Sequence, residues 1–284
     1  MKTVPMTLSR FLLTGVAFCL SFAVVSGAQP NTLTSEEKAA GWQLLFDGKS
    51  MRNWQDPSKK TPPGDAWSIE DGSLKATSHP QITEDLVSNG TYTDFELMWD
   101  WKIAPGSNSG LKYRIQAFPI VSDRLSKPGT TKFEQQVDSA MQRGYFDRKL
   151  IQAGDHAQIY VIGFEYQLID NERHRDALRG GKYQAGALYD ILAPSTAAAK
   201  PVGDWNTSKL VVKGNHIEHW LNGVKVVDSS LDDPAVKESS AKRWGAESPV
   251  YKLLTTRPKA DCPISLQNHG DNAWFRNIKI RPLK

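Results

Sequence analysis

The chain has 284 residues, of which 39% are apolar, 23% charged and 10% aromatic. That balance excludes intrinsic disorder and leaves enough apolar material for a large core, in one big domain or two small ones. The formal net charge of +4 falls to +2 without Lys2 and Arg10, and no run of five basic residues occurs, which argues against nucleic acid as a partner.

In chain order, residues 1–28 come first. Lys2 and Arg10 lead into an apolar run, residues 11–25, and Ser26-Gly27-Ala28 places small residues at the −3 and −1 positions of a cleavage site. This reads as a secretory signal peptide, because a run of about 15 apolar residues is shorter than the roughly 20 needed to span a bilayer. The expectation is a secreted or periplasmic product with no membrane segment after cleavage. Phe18 is too bulky for the lipoprotein pattern before Cys19, and Cys262 is the one cysteine beyond the leader, so no intramolecular disulfide is expected.

From residue 67 onward, short strands alternate with turns. Asp71-Gly72 and Asn222-Gly223 are two-residue hairpin turns, and with Gly214-Asn215 they predict a three-stranded meander over residues 209–228. Phe95, Leu97, Trp99, Trp101 and Ile103 alternate with polar residues, as do Leu111, Tyr113 and Ile115, the period-two pattern of strands with one buried face. A third such strand covers residues 160–170. Two stretches interrupt the pattern: a long insertion at 118–156 with a helix over 133–141, and residues 232–263 with a helix over 234–244 and an irregular return. The predicted fold is all-β, a jelly-roll sandwich of two antiparallel sheets in a single domain over 29–284.

Polar rows on these strands carry the candidate chemistry. Glu165 and Gln167 share one strand face, and Asp170 joins them only if a β-bulge inserts a residue between Gln167 and Asp170. Paired carboxylates on one concave face suit acid/base work on a sugar; the alternative is a solvated face with a capping Asp at the strand end. Lys112, Arg114 and Gln116, entered through Asn108, form a second row that can orient hydroxyls or stabilise an oxyanion, or simply make cross-strand ion pairs. Gln267 and His269 form a third. His174 follows the Glu165 strand at its mouth, and a divalent metal held by His174, Asp176 and His269 is conceivable, although no metal-ligand spacing supports it. Among nine tryptophans, Trp54, Trp205 and Trp244 lie in loop-like contexts and are candidates for stacking on a sugar.

Several motifs then fall into one order: Gly41-Trp42-Gln43-Leu44-Leu45-Phe46-Asp47-Gly48, Asn108-Ser109-Gly110, Phe164-Glu165-Tyr166-Gln167-Leu168-Ile169-Asp170, Gly186-Ala187-Leu188-Tyr189-Asp190, Gly203-Asp204-Trp205-Asn206, His219-Trp220-Leu221-Asn222-Gly223, Leu266-Gln267-Asn268-His269-Gly270 and Phe275-Arg276-Asn277-Ile278. From about Gly41 to the C-terminus the chain resembles the 3-keto-disaccharide hydrolase family. The resemblance implies a concanavalin-like jelly roll acting on glycosides oxidised at C3, by 1,2-elimination and rehydration. It implies Glu165 or His269 as the base at C2, Asp170 as the acid to the leaving oxygen, and Lys112 or Arg114 as the enolate stabiliser. Asn108, Gln167, His174, Trp205 and Gln267 complete the expected substrate contacts. Glu165-x-Gln167-x-x-Asp170 also resembles the E-x-D-x-x-E strand of laminarinase-type glucanases, with Gln for Asp and Asp for Glu, which departs from ordinary retaining hydrolysis. The alternative from another class is a non-catalytic carbohydrate-binding module, since the same fold serves lectins.

Overall fold

The turn residues sit where the hairpins need them. Asp71 and Gly72 (φ 48° and 70°) and Asn222 and Gly223 (φ 50° and 84°) are in the left-handed region that tight two-residue hairpins require. The computed structural model describes residues 29–57, 66–78, 82–122, 133–143 and 157–283. The segment read as a signal peptide and much of the insertion at 118–156 lie outside the described residues.

In chain order the elements are α1 (Ser35–Ala39), β1 (Gln43–Leu44), β2 (Trp54–Gln55), β3 (Trp67–Glu70), β4 (Ser73–Ala76), β5 (Ile82–Glu84), β6 (Leu86–Ser88), β7 (Phe95–Ile103), β8 (Asn108–Ala117) and β9 (Ile120–Ser122). There follow α2 (Phe133–Arg143), β10 (Ala157–Ile159), β11 (Ile162–Ile169), β12 (Asn206–Lys213), β13 (His216–Leu221), β14 (Val224–Ser230), α3 (Pro234–Trp244), α4 (Pro249–Thr255), β15 (Ser265–Leu266) and β16 (Ala273–Pro282). One sheet runs β14-β13-β12-β7-β16-β4-β3 with β1 on β16, and the facing sheet runs β11-β8-β15-β6-β2. Pairing within both sheets is antiparallel, so the jelly-roll expectation and the predicted meander, now β12-β13-β14, both hold.

Alternation along β7 buries Phe95, Leu97, Trp99, Trp101 and Ile103 against β11 and β8 of the other sheet. Trp99 meets Tyr166 edge-on at 5.0 Å between ring centroids. A chain of hydrogen bonds runs between the sheets: Trp101 Nε1 donates to Ser208 Oγ, Ser208 Oγ to Tyr166 Oη, and Tyr166 Oη to the Trp220 carbonyl. His219 lies there too, wholly buried, and burial pulls its pKa down to about 4. It is therefore neutral at pH 7, with Nδ1 donating to the Gly186 carbonyl and Nε2 accepting from the Tyr113 hydroxyl.

A third, three-stranded sheet adds to the two expected, in the order β5-β10-β9, with β5 and β10 parallel. The predicted helices are present as α2 and α3, the latter started by Asp233, whose carboxylate accepts the Ala235 N–H, with Pro234 at the first helical position. The irregular return expected after α3 instead contains α4, capped by Ser248 on the Tyr251 N–H. Helices α2, α3 and α4 pack on one another, and α2 packs on β9. Among the described residues, α2 from the first interruption and α3 and α4 from the second thus form one layer.

A break in register decides which side chains share the inner sheet's outer face. From Ile169 back to Phe164, β11 pairs residue by residue with Asn108 to Tyr113, and then Ile162 skips to Ala117. Arg114 takes a left-handed φ of 53° at this bulge, and Gly163 lies so close that a Cβ there would stand 2.8 Å from the Tyr113 carbonyl oxygen. The bulge lies at the Arg114 end of the strand pair, and no extra residue separates Gln167 from Asp170.

Candidate active site

The regular part of β11 and β8 aligns two polar rows on the face turned from the core. Glu165 lies opposite Lys112, which lies opposite Ser265. Gln167 lies opposite Gly110, whose carbonyl accepts the Gln267 N–H. The missing side chain at Gly110 admits Glu165: a Cβ there would stand 2.4 Å from Glu165 Oε1. Beneath the row, Lys112 Nζ is 3.3 Å from Asp85 Oδ2, and both side chains are shut off from solvent. Asp85 also accepts the Asn268 N–H. Burial disfavours the ammonium, but the Asp85 and Glu165 carboxylates outweigh it and hold the Lys112 pKa above its ordinary value.

A cavity of about 350 Å³ opens over these rows, lined by Asn108, Gln158, Tyr160, Glu165, Arg175, Asp176, Arg179, Tyr189, Arg243, Gln267 and His269. Glu165 is 8% exposed. Burial raises its pKa above the ordinary carboxylate value, against the pull of Lys112 and Arg243. A carboxyl poised in this way suits proton abstraction near neutral pH. Arg243, on the last turn of α3, reaches from the outer layer, with Nη2 donating to the Tyr160 hydroxyl and Nη1 to the Tyr189 carbonyl. Its guanidinium also lies over the Tyr189 ring. Asn108 Oδ1, Gln267 Oε1 and both amide atoms of Gln167 are buried without a hydrogen-bond partner. Orphaned amides on one face call for a polar ligand or water, because a buried unpaired polar atom costs about 1–3 kcal/mol.

The expected residues divide between this cavity and other places. Glu165, Asn108, Gln267 and His269 line it, Gln167 shares their face, and Lys112, outside the lining, lies behind Tyr160 with Nζ 4.8 Å from the ring centroid. Asp170 does not join them. Its Oδ2 accepts the Gly106 N–H at 2.7 Å and its Oδ1 those of Glu172 and Arg173, and it lines a separate cavity with Trp101 and Asn171. Burial works against the charged form, yet these three bonds hold its carboxyl below the usual range, as befits a loop cap rather than a proton donor. Arg114 is also displaced: the bulge takes it out of the Lys112 row, and its guanidinium donates to the carbonyls of Ala260 and Gly214. Trp205 lies elsewhere too, with the Arg276 guanidinium 3.9 Å from its ring centroid and Lys102 also over it; both cations belong to the outer face of the larger sheet. Trp54 is a core residue, and Trp244 packs against Tyr160. Ring contacts in the cavity therefore fall to Tyr160 and Tyr189, which periodicity assigned to structure or left unassigned.

His174 approaches His269 edge-on, 6.1 Å between centroids, and ligand atoms of His174, His269 and Asp271 lie within 4.8 Å of one another. Asp271, not Asp176, completes this trio. The observed hydrogen bonds test its fit to a divalent cation. His174 Nδ1 accepts the Asp176 N–H, and partial burial holds its pKa below the ordinary value, so the neutral ring carries its proton on Nε2. A metal on Nε2 would require His174 to give up that bond, so the geometry as observed fits a hydrogen-bonding cluster better than a metal centre.

Comparison with known proteins bears on the family and the fold. Residues 41–281 match the model of the 3-keto-alpha-glucoside-1,2-lyase-like domain. A Bacteroides thetaiotaomicron protein named 3-keto-disaccharide hydrolase is 28% identical over 275 residues, covering 91% of this chain and 84% of the relative. Two solved structures from Parabacteroides distasonis ATCC 8503, each described as a putative glycosyl hydrolase, superpose with TM-scores of 0.66 and 0.53 at 28% and 25% identity. They match 90% and 85% of this chain and 100% and 99% of their own. With the family model spanning residues 41–281, most of the sequence, the chain belongs to the 3-keto-alpha-glucoside-1,2-lyase-like domain family.

Proposed function

We propose that the protein cleaves glycosides oxidised to a ketone at C3, by elimination across C1–C2 followed by hydration, with Glu165 as the base. The observation that carries this reading is the Glu165 carboxylate: buried in the cavity wall, raised in pKa, leaning over Gly110, and neighboured by amides with open hydrogen-bonding atoms. Family membership and the name of the Bacteroides relative support the substrate class.

The ketone at C3 acidifies the C2 proton. Glu165 takes that proton, and the C–H electron pair moves into an enolate whose oxygen is stabilised by the Arg243 guanidinium and the Tyr160 hydroxyl. Collapse of the enolate restores the C3 ketone, forms the C1–C2 double bond and breaks the C1–O bond. The leaving oxygen takes a proton from His269, which has Asp271 Oδ2 3.8 Å from its Nδ1. Water then adds its hydroxyl to C1 and gives its remaining proton back to His269, while Glu165, its proton exchanged with solvent, protonates C2, so the sum is hydrolysis without a glycosyl-enzyme bond. Asn108, Gln167 and Gln267 hold sugar hydroxyls. The charged and small-residue features of residues 1–28 support export, which places this chemistry outside the cytoplasm.

The test is incubation of the protein with 3-keto-trehalose, 3-keto-sucrose and their unoxidised parents in heavy water, with and without chelator, followed by mass spectrometry and proton NMR. A 3-keto-sugar carrying deuterium at C2 is expected from the 3-keto substrates alone. Glu165→Gln should lower kcat/KM by about 10²–10⁴-fold without changing the melting temperature. Hydrolysis with no deuterium at C2, or full activity in that variant, overturns the mechanism. Binding without turnover makes the protein a carbohydrate-binding module.

A further inference from the structure

The cavity is graded from a buried end to an open one. Glu165, Asn108 and Gln267 at one end are each less than a tenth exposed, whereas Arg175 is exposed and the Arg179 side chain is 52% exposed. Three of the lining side chains are arginines: Arg175, Arg179 and Arg243. Few carboxylates are left to neutralise them. Asp176 Oδ1 is 3.6 Å from Arg179, and Asp190, 3.8 Å from Arg243, is much closer to Lys182 at 2.7 Å. Asp85 is taken by Lys112. Arg175 makes no ion pair among the described residues, and the Arg179 guanidinium carbon lies 4.0 Å from the Tyr183 ring centroid, with Nη2 donating to the Tyr183 hydroxyl. The open end thus carries a cationic surplus with one uncommitted guanidinium, on the loop directly after the Glu165 strand.

We infer that Arg175, with Arg179 beside it, receives an anionic substituent, a carboxylate, sulfate or phosphate, on the group that leaves C1. This rests on the proposed reading of the site, which puts the 3-keto ring at the buried end by Glu165 and so turns the leaving group toward the rim. Guanidinium groups bind such anions through charge-assisted, often paired hydrogen bonds, and a cavity wall of one sign concentrates the oppositely charged substrate. The selectivity should appear mainly in KM and weaken with salt, since the rim is open to solvent.

The experiment compares 3-keto-glucosides of matched size whose leaving groups are glucose, glucuronate, glucose 6-sulfate and glucose 6-phosphate. Wild type should favour at least one anionic leaving group over glucose by about tenfold in kcat/KM at low ionic strength, with the margin shrinking at 0.5 M salt, and the three anionic arms identify which group is read. Arg175→Glu should bring the ratio of anionic to neutral turnover to one or below, and Arg179→Gln should lower it. Equal turnover of all four substrates, or an unchanged ratio in Arg175→Glu, overturns the inference while leaving the elimination reading standing. If none is turned over, calorimetric titration with the unoxidised glucuronate-containing and neutral disaccharides decides it: preference for the anionic sugar that Arg175→Glu abolishes supports the rim site, and equal affinities overturn it.

Discussion

Asp170 and Glu165 are both acidic residues on one strand and its end, and their surroundings give them opposite properties. Asp170 is saturated by the N–H groups of Gly106, Glu172 and Arg173. Asp170→Ala should therefore lower stability by about 1–3 kcal/mol, through the loss of hydrogen bonds to a charged acceptor, and leave kcat on a 3-keto-glycoside within a few-fold of wild type. A thermal melt beside a rate assay separates this from a catalytic role, which would give the reverse. Glu165 shows the other case: burial raises its pKa, and a base must be ionised to act. The acid limb of the kcat/KM profile should accordingly lie above the ordinary glutamate range, with activity gained as pH rises through it. A limb at the value of a free carboxylate would show that another group abstracts the proton. The capping alternative for Asp170 was legible in the sequence, since Glu172 and Arg173 are its near neighbours, whereas the burial of Glu165 is set by chain segments distant in sequence.

At the scale of elements, the β8–β11 pair controls the site through two glycines with different neighbours. At Gly110 an added Cβ meets the Glu165 side chain, at 2.4 Å from Oε1 and 3.0 Å from Cγ and Cδ. Gly110→Ala should thus displace the base and cost on the order of 10²-fold in kcat/KM with only a small change in melting temperature. At Gly163 the obstruction is backbone, the Tyr113 carbonyl, so the same change should destabilise the protein instead. Paired melts and kinetics of the two variants check both outcomes. The bulge beside Gly163 also shows why a strict period-two reading misplaces Arg114: alternation continues through Lys112, and the extra residues after Tyr113 then send the next cation to the carbonyls of Ala260 and Gly214. Alternation alone carries no mark of a bulge.

On the scale of the whole molecule, one apolar cluster runs through both large sheets and takes in Val137 of α2, Trp244 of α3 and Leu254 of α4. Unfolding should therefore be a single transition with coincident midpoints by tryptophan fluorescence and circular dichroism, and separated midpoints would show the outer layer melting on its own. His219 sits between the sheets and gives that transition a pH dependence. Its folded pKa of about 4 is below the ordinary histidine value of 6.5. Above pH 6.5 the ring is neutral in both states and the full stability is present. Between pH 6.5 and 4 the unfolded chain takes up a proton that the folded one refuses, and stability falls by up to about 3 kcal/mol. Urea midpoints across this range should fall more steeply for wild type than for His219→Gln, and the comparison cancels the carboxylates common to both. Parallel slopes would show that the ring is protonated within the fold.

Much of the architecture is local and so was legible in the sequence alone. Turn pairs such as Asn222-Gly223 and the alternation of β7 depend only on backbone sterics and on the geometry of a half-buried strand. The same alternation put Glu165, Gln167, Lys112, Gln267 and His269 on polar faces. Tertiary structure decided which of those faces met. It brought Arg243 from α3 and Asp85 from beside β6 to the Glu165 row, although they are far from it in the chain, and it sent Asp170, Arg114 and Trp205 elsewhere. The reason is physical. A strand's period reports burial on one side of a sheet, whereas a site is made by long-range packing, register breaks and the competition among donors for each carboxylate.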